Sequence, residues 1–197
     1  NITTALSTNV IPVIVDPDLK TVKYFEPDII IDARMLKRKV AYDLGNEYKV
    51  IGLGPGFIVG KNCHAEIETN RCHYLGRVIW SGEPEENTGS PGRVKEFEIE
   101  RVIRSPGDGI IYSSSKIGDY FKKGEIIGFV DDKPIFSPFE GCLRGLMHNG
   151  ITVTYGLKIG DLDPRMDNNL INYVSDKALS VSGGVIEAIL ILQKQYL

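Results

Sequence analysis

SPGDGIIYSSSKIGDYFKKGEIIG, Ser105 to Gly128, and SPFEGCLRGLMHNGITVTYGLKIG, Ser137 to Gly160, align without a gap at a constant offset of 32 residues. Ser105/Ser137, Pro106/Pro138, Gly109/Gly141, Gly118/Gly150, Gly124/Gly156, Ile127/Ile159 and Gly128/Gly160 coincide, and Asp108 faces Glu140. Chance likeness between two glycine-rich stretches does not hold register in this way. Self-similarity at a fixed period signals two copies of one supersecondary unit. Ser-Pro opens a strand where the missing N–H is harmless. The glycines fall at turns where positive φ is cheap. Apolar residues between them alternate toward a shared core. Two such units related by a pseudo-two-fold axis predict a flattened β-barrel over Arg104–Asp163.

The two halves, SPGDGIIYSSSKIGDYFKKGEIIGFV and FSPFEGCLRGLMHNGITVTYGLKIGDL, resemble the biotinyl/lipoyl domain family, a barrel-sandwich hybrid. Carriers of that family present a modified lysine at a hairpin tip. The matching residue here is Lys133 in VDDKPIFSP, which Pro134 follows directly and which sits close to Pro138. The AMKM and DKA contexts are absent. The resemblance therefore implies a structural or docking barrel, with neither biotin nor lipoate expected.

Outward from this repeat the character changes. In residues 1–47, Val10–Val15 (VIPVIV) is a β-branched run closed by Asp16-Pro17, which predicts a buried strand and a turn. Asp28–Ile31 predicts a second strand, running into the basic stretch ARMLKRKVAY. Continuous rather than alternating apolar strands point to a parallel sheet covered on both faces, here a partial Rossmann-like unit. The chain opens on Asn1 without an initiator methionine, so the expectation is a piece lacking an N-terminal region. Residues 48–103 read as β: YKVIGLGPGFIVG, AEIET, GRVIWSG and KEFEIERVI are strand-like, and SGEPEENTGSPGR is an exposed polar loop. Residues 164–197 end in a helix starting near Val185 that packs back on the rest. The fold class is α+β: an N-terminal α/β remnant, a mainly-β middle (48–103), the barrel (104–163) and the C-terminal helix.

Bulk properties narrow the function. The 197 residues are 42% hydrophobic and 25% charged with a net charge of −3, which gives no electrostatic reason to expect nucleic acid or an anionic membrane. The apolar runs are too short to span a bilayer, and the N-terminus is not a signal peptide. Three cysteines, odd in number and widely spaced, favour a reducing cytoplasm.

Several constellations carry chemical options. Gly52-Leu53-Gly54-Pro55-Gly56 has the wrong spacing for a dinucleotide fingerprint; its N–H groups suit either an anion nest or a tight turn. In CHAEIETNRCHYLGR (Cys63–Arg77), His64, Glu66 and Glu68 share a face if HAEIET is a strand, with Arg71, His73 and Arg77 near. The two Cys-His pairs lack the clip spacing of closed zinc sites, so metal ranks below a polar ligand pocket and a satisfied hairpin surface. Asp32, Arg34, Lys37 and Arg38 follow the carboxyl end of a strand, where open sheets bind ligands; a solvated charge run is the competing reading. Gly183-Gly184 before the helix offer free N–H groups to an anion, against simple packing. No nucleophile–base pair or carboxylate pair has convincing spacing for catalysis.

The order DARMLKR, GLGPGF, HAEIETNRCHYLGRV, NTGSPG, the repeats, GDLDPR and SDKA…GGVIEA resembles the YqeB family over nearly the whole chain. That family is linked to selenium-dependent molybdenum hydroxylases of the xanthine dehydrogenase type. The resemblance implies an accessory or maturation role, with the hydroxylase or its maturation machinery as partner and a molybdopterin-type or dinucleotide ligand. The motif positions it carries over are Asp32, Lys37, Gly52, Gly54, Gly56, His64, Glu68, Arg71, His73, Arg77, Asp163, Arg165, Asp176, Lys177, Gly183 and Gly184. Cys63 and Cys72 depart from the family pattern. The alternative is a non-catalytic scaffold that docks onto the hydroxylase through the barrel.

Overall fold

The computed structural model describes residues 2–36, 38–40, 48–86 and 101–194. The fold is mixed α+β and, among the described residues, mostly strands, with three four-stranded sheets and one long C-terminal helix. It divides into two compact units, residues 1–85 with 180–197, and residues 86–179.

In the first unit, short helices α1 (Ile2–Ser7) and α2 (Lys20–Phe25) flank the Val10–Val15 segment. Asp16, four residues ahead of Lys20, accepts from the N–H groups of Lys20 and Thr21 in the first turn of α2 at 3.0 and 2.8 Å. The sheet runs in the order β1 (Ile29–Asp32), β2 (Lys49–Leu53), β3 (Ala65–Ile67) and β4 (Val78–Ile79). β1, β2 and β3 are mutually parallel, and β4 is antiparallel to β3. The DIII run is thus a parallel strand as its composition implies.

The VIPVIV run is a correction. It forms no strand, and Ile11, Val13 and Val15 are 86%, 93% and 98% exposed. β propensity describes what fits a pleated, half-buried surface, and no described strand lies beside this segment to complete a ladder.

Side-chain alternation sorts the sheet's two faces. Ile51 and Leu53 of β2 and Ala65 and Ile67 of β3 pack against Ala188 and Leu192 of α3 (Asp176–Lys194). Val50 turns the other way and joins Val40, Phe57 and Cys63 in a second cluster. Only one stripe of α3 is buried, Gly184, Ala188 and Leu192 at a spacing of four; Ile186 and Leu190 on its far side are more than half exposed. Lys49 Nζ donates to Leu192 O at 2.8 Å, satisfying a carbonyl in the helix's last turn. The helix start near Val185 is also corrected. The helix begins at Asp176, so Gly183 and Gly184 lie in its interior and do not form its N-terminus. Gly184 is there because a Cβ would collide with Gly76 O, the point where the chain after β3 crosses the helix.

In the second unit the repeat is visible strand by strand. Strands β5 (Val102–Arg104), β6 (Gly109–Tyr112), β7 (Tyr120–Phe121) and β8 (Ile126–Val130) have counterparts in β9 (Lys133–Phe136), β10 (Gly141–Leu146), β11 (Thr152–Val153) and β12 (Lys158–Asp163). The sheets run β5-β12-β10-β7 and β9-β8-β6-β11, each taking strands from both halves. Hydrogen bonds come in matching pairs across the pseudo-two-fold. Ser105 N donates to Leu157 O and Ser137 N to Glu125 O; Gly156 N donates to Ser105 O and Gly124 N to Ser137 O. Gly124 and Gly156 have φ of +84° and +75°, which only glycine adopts cheaply. The buried serine hydroxyls bond the carbonyl two residues on, Ser105 to Gly107 at 2.6 Å and Ser137 to Phe139 at 2.7 Å. One apolar core, including Ile111, Leu143, Ile127 and Ile159, fills the space between the halves. Among the described residues the two sheets stay separate, four strands each, and no closed barrel forms. Lys133 is a ladder residue paired with Val130, and Asp131-Asp132 make the turn before it.

Candidate functional site

The row Asp32–Gly52–Glu66 crosses the first unit's sheet at one level, since Asp32 pairs with Gly52 and Gly52 with Glu66. Residues paired in this way point to the same face. This is the face away from α3, shared with Phe57 and Cys63. Gly52 has no side chain because the Phe57 ring occupies its place; a Cβ there would sit in the ring. The row therefore reads carboxylate, aromatic ring, carboxyl, at the carboxyl ends of parallel strands.

The two carboxyl groups of the row differ in company. Asp32 is 5% exposed and clamped by Arg34, whose Nη2 reaches Oδ2 at 2.6 Å, Nε reaches Oδ1 at 3.0 Å and backbone N–H reaches Oδ1 at 3.1 Å. The pairing raises the guanidinium's pKa. Glu66 is fully buried, and neither of its oxygens has a hydrogen-bond partner among the described residues. Burial, reinforced by the negative charges of Glu68 and Glu83, pushes its pKa up to about 9. At neutral pH it is a protonated acid, able to donate and accept. Glu68 is also buried, but it accepts from Asn70 N–H at 2.7 Å and Glu85 N–H at 2.8 Å. Cys63 is buried beside them. Desolvation and then the Glu66 charge push its thiol up to about 12, although the N–H groups of Gly52 and Ile58 point at its sulfur. Such a thiol is inert as a nucleophile.

Around this row stand other positions singled out from sequence. Gly54 has φ +75° with its N–H bonded to Ile67 O at 3.1 Å, and buried Thr69 packs on it. Gly56 has φ +115°, and its carbonyl accepts from Val40 N–H and Asn62 Nδ2. His64 is tied into the sheet: its Nδ1 accepts from Val50 N–H at 3.0 Å and its own N–H donates to Val50 O at 2.8 Å. Arg71, His73 and Arg77 lie exposed after β3, with Arg77 5.8 Å over the Tyr74 ring and donating to His73 O. Lys37 lies outside the described residues, as do residues 87–100, which hold the whole NTGSPG motif. Among the described residues no group of three or more His, Cys, Asp or Glu could hold a metal ion.

A second cluster lies in the other unit. Asp163 ends β12, buried, and takes Arg165 Nη2 at 2.7 Å, Nε at 2.9 Å and backbone N–H at 2.9 Å, with Arg144 Nη1 at 3.3 Å. Burial pushes its carboxyl up, but the Arg165 hydrogen bonds and charge, joined by Arg144, outweigh it and hold the pKa at about 2. Asp176 is close enough to act on Arg165; Lys177 is half-buried on the first turn of α3. Asp32-Ala33-Arg34 and Asp163-Pro164-Arg165 are thus the same device, a strand-end aspartate clamped by the arginine two residues on. The structure brings together Asp32, Gly52, Gly54 and Glu68 in one unit, and Asp163, Arg165 and Asp176 in the other. The residue sequence reasoning left off its site positions is Glu66. Its signal was a glutamate inside the three-residue apolar strand Ala65–Ile67.

The class defined by these features is a mixed α+β, mostly-strand protein with a closed acidic site on a parallel sheet. No protein-family model matches the chain. Over 185 residues it is 44% identical to a protein of Escherichia coli strain K12, "Uncharacterized protein YqeB", a match covering 94% of this chain and 34% of that protein. The chain spans about a third of the length of that relative. Among solved structures, an aspartoacylase family protein of Mesorhizobium loti aligns at 14% identity over 32% of this chain and 22% of its own. The TM-score of 0.28 is too low to carry an argument. No helix among the described residues is long and apolar enough to cross a membrane.

Proposed function

We propose that this chain is part of a cytoplasmic accessory protein that helps mature a selenium-dependent molybdenum hydroxylase of the xanthine dehydrogenase type. In this reading the first unit binds a phosphate-bearing cofactor or precursor, a molybdopterin-type or dinucleotide ligand, over the carboxyl ends of β1, β2 and β3. The supporting observation is Glu66. A buried carboxyl with two unpartnered oxygens is rare enough in folded proteins to need a reason, and perturbed acids concentrate at functional sites. It also sits where open α/β sheets take their ligands. Asp32, Gly52, Gly54 and Glu68 are the neighbouring ligand-binding candidates, and the role in hydroxylase maturation comes from the resemblance to the YqeB family.

A second reading has its own observation. If the second unit is a barrel-sandwich hybrid without a prosthetic group, it acts as a docking scaffold. The outer face of one of its sheets exposes Ile110, Tyr112, Ile126, Phe129 and Phe136. The positions related to these by the repeat are the buried Cys142, the largely covered Arg144 and Asp161, and the exposed Lys158 and Arg104. Symmetry in the core and asymmetry on the surface favour a partner for the apolar side.

Native mass spectrometry on the full-length protein, purified gently from cells making active hydroxylase, separates the two. A bound species of molybdopterin or dinucleotide mass supports the first reading. A bare polypeptide that retains the hydroxylase, and loses it when residues 104–163 are deleted, supports the scaffold.

A further inference from the structure

Resting on the proposal that the first unit binds a cofactor, Glu66 also says which part of the ligand is read there. Its two oxygens are free and side by side, and a carboxylate in that state accepts two parallel N–H bonds. A single metal ion is a poor match, since Glu66, Glu68 and Cys63 assemble no three-ligand group. A phosphate is a worse one, since Glu68 and Glu83 already place negative charge around the site. The Phe57 ring lies next to Glu66 in the row, buried in the place of the Gly52 side chain, and the flat slot it fills has the shape of a planar heterocycle.

We infer that Glu66 recognises the edge of a pterin- or guanine-type ring where an exocyclic amine stands beside a ring N–H, with that ring in the slot the Phe57 side chain vacates and the phosphate held outside the acidic cluster. Entry requires the turn from Gly54 to Phe57 to swing away. Gly54 and Gly56 sit at positive φ at its two joints, and the turn carries the Phe57 ring with it. In the closed chain Glu66 holds its proton. When the ring's two N–H groups arrive, the proton leaves to solvent and the carboxylate gains the two bonds it lacked. The titratable groups facing Glu66 are Cys63, Glu68 and Glu83, with Asp32 along the row already held by Arg34.

The test is titration calorimetry of this chain with guanosine monophosphate, adenosine monophosphate and 6-hydroxymethylpterin, near pH 7.5, in two buffers of different ionisation enthalpy. The expected result is binding of the guanine nucleotide and the pterin with release of about one proton. Adenosine monophosphate, which has the phosphate but not the edge, binds at least tenfold more weakly. Glu66→Gln turns an N–H toward one of the two donors and weakens guanine and pterin binding at least tenfold, leaving the adenine nucleotide unchanged; its thermal melt verifies the fold. Equal binding of both nucleotides, unaffected by Glu66→Gln, overturns the inference and leaves the phosphate-bearing ligand standing. Binding of 6-hydroxymethylpterin, which carries no phosphate, as tightly as guanosine monophosphate keeps the inference and removes the phosphate. Absence of guanine and pterin binding overturns it.

Discussion

Glu66 and Asp163 are both carboxyl groups buried among strands, one in each unit, and they titrate at opposite ends of the scale, about 9 and about 2. Burial acts on both in the same direction. What separates them is company: Asp163 receives four N–H groups from Arg165 and Arg144, whereas Glu66 receives none and has Glu68 and Glu83 for neighbours. Asp163 is explained by the structure around it, a clamp that ends a strand. Glu66 destabilises the unit it sits in, and that cost points to use.

The comparison breaks first, and most heavily, at Asp163. Asp163→Ala leaves two guanidinium groups facing a void and is expected to cost about 3–5 kcal/mol in chemical unfolding at pH 7. The folded pKa is depressed from 3.8 to about 2, so the clamp's contribution is complete above the ordinary value. It fades as the pH falls through about 2, and the gap between variant and wild type narrows with it.

Glu66→Gln is expected to do the reverse. An acid whose pKa rises from 4.5 to about 9 on folding costs stability once the unfolded chain ionises. The cost is near zero below pH 4.5, grows by about 1.4 kcal/mol per pH unit, and levels off above about 9. Urea melts of Glu66→Gln therefore gain on the order of 3 kcal/mol over wild type at pH 7, and almost nothing at pH 4. A variant equally stable as wild type at both pH values would mean that Glu66 is solvated.

Further down the scale, Gly184→Ala drives a methyl group into Gly76 O and is expected to cost about 1–3 kcal/mol, read as a lower thermal midpoint of the first unit. The smallest effect tests the repeat. Ser105→Ala and Ser137→Ala each remove one buried hydroxyl bond of matched geometry and are expected to cost about 1 kcal/mol apiece. A twofold disparity between them in denaturant melts would show that the halves are not energetically equivalent.

The contrast also explains what was legible in the sequence. The repeat was readable because its glycines and serines are fixed by local backbone demands: Gly124 and Gly156 need positive φ, and Ser105 and Ser137 close the same two-residue loop. The DIII strand was readable for the same reason, its β-branched run being buried beside β2. Val10–Val15 has that composition too, yet forms no strand, because a ladder partner is a property of the neighbourhood and not of the run. The start of α3 was misplaced by reading Gly183-Gly184 as punctuation. The place of Gly184 in the interior follows from the close crossing at Gly76, more than a hundred residues away, whereas a Cβ on Gly183 would meet open space. Arg34 reads as part of a basic stretch that would suit a ligand, and Arg165 only as a motif position; the D-x-R spacing that turns each back onto its own aspartate is present in both copies. Glu66 was visible as a member of a polar strand face. That it lacks any partner emerges only when Gly52, Phe57 and the strand order are known.

The account stands on Glu66 being a neutral, unpaired acid in the folded chain. Its side-chain carboxyl carbon, labelled with carbon-13 and followed by NMR from pH 4 to 10, reports this directly. The account predicts a midpoint near 9, with no change in chemical shift between pH 4 and 7. A midpoint near the ordinary 4.5 would show an ionised, satisfied carboxylate and would contradict it.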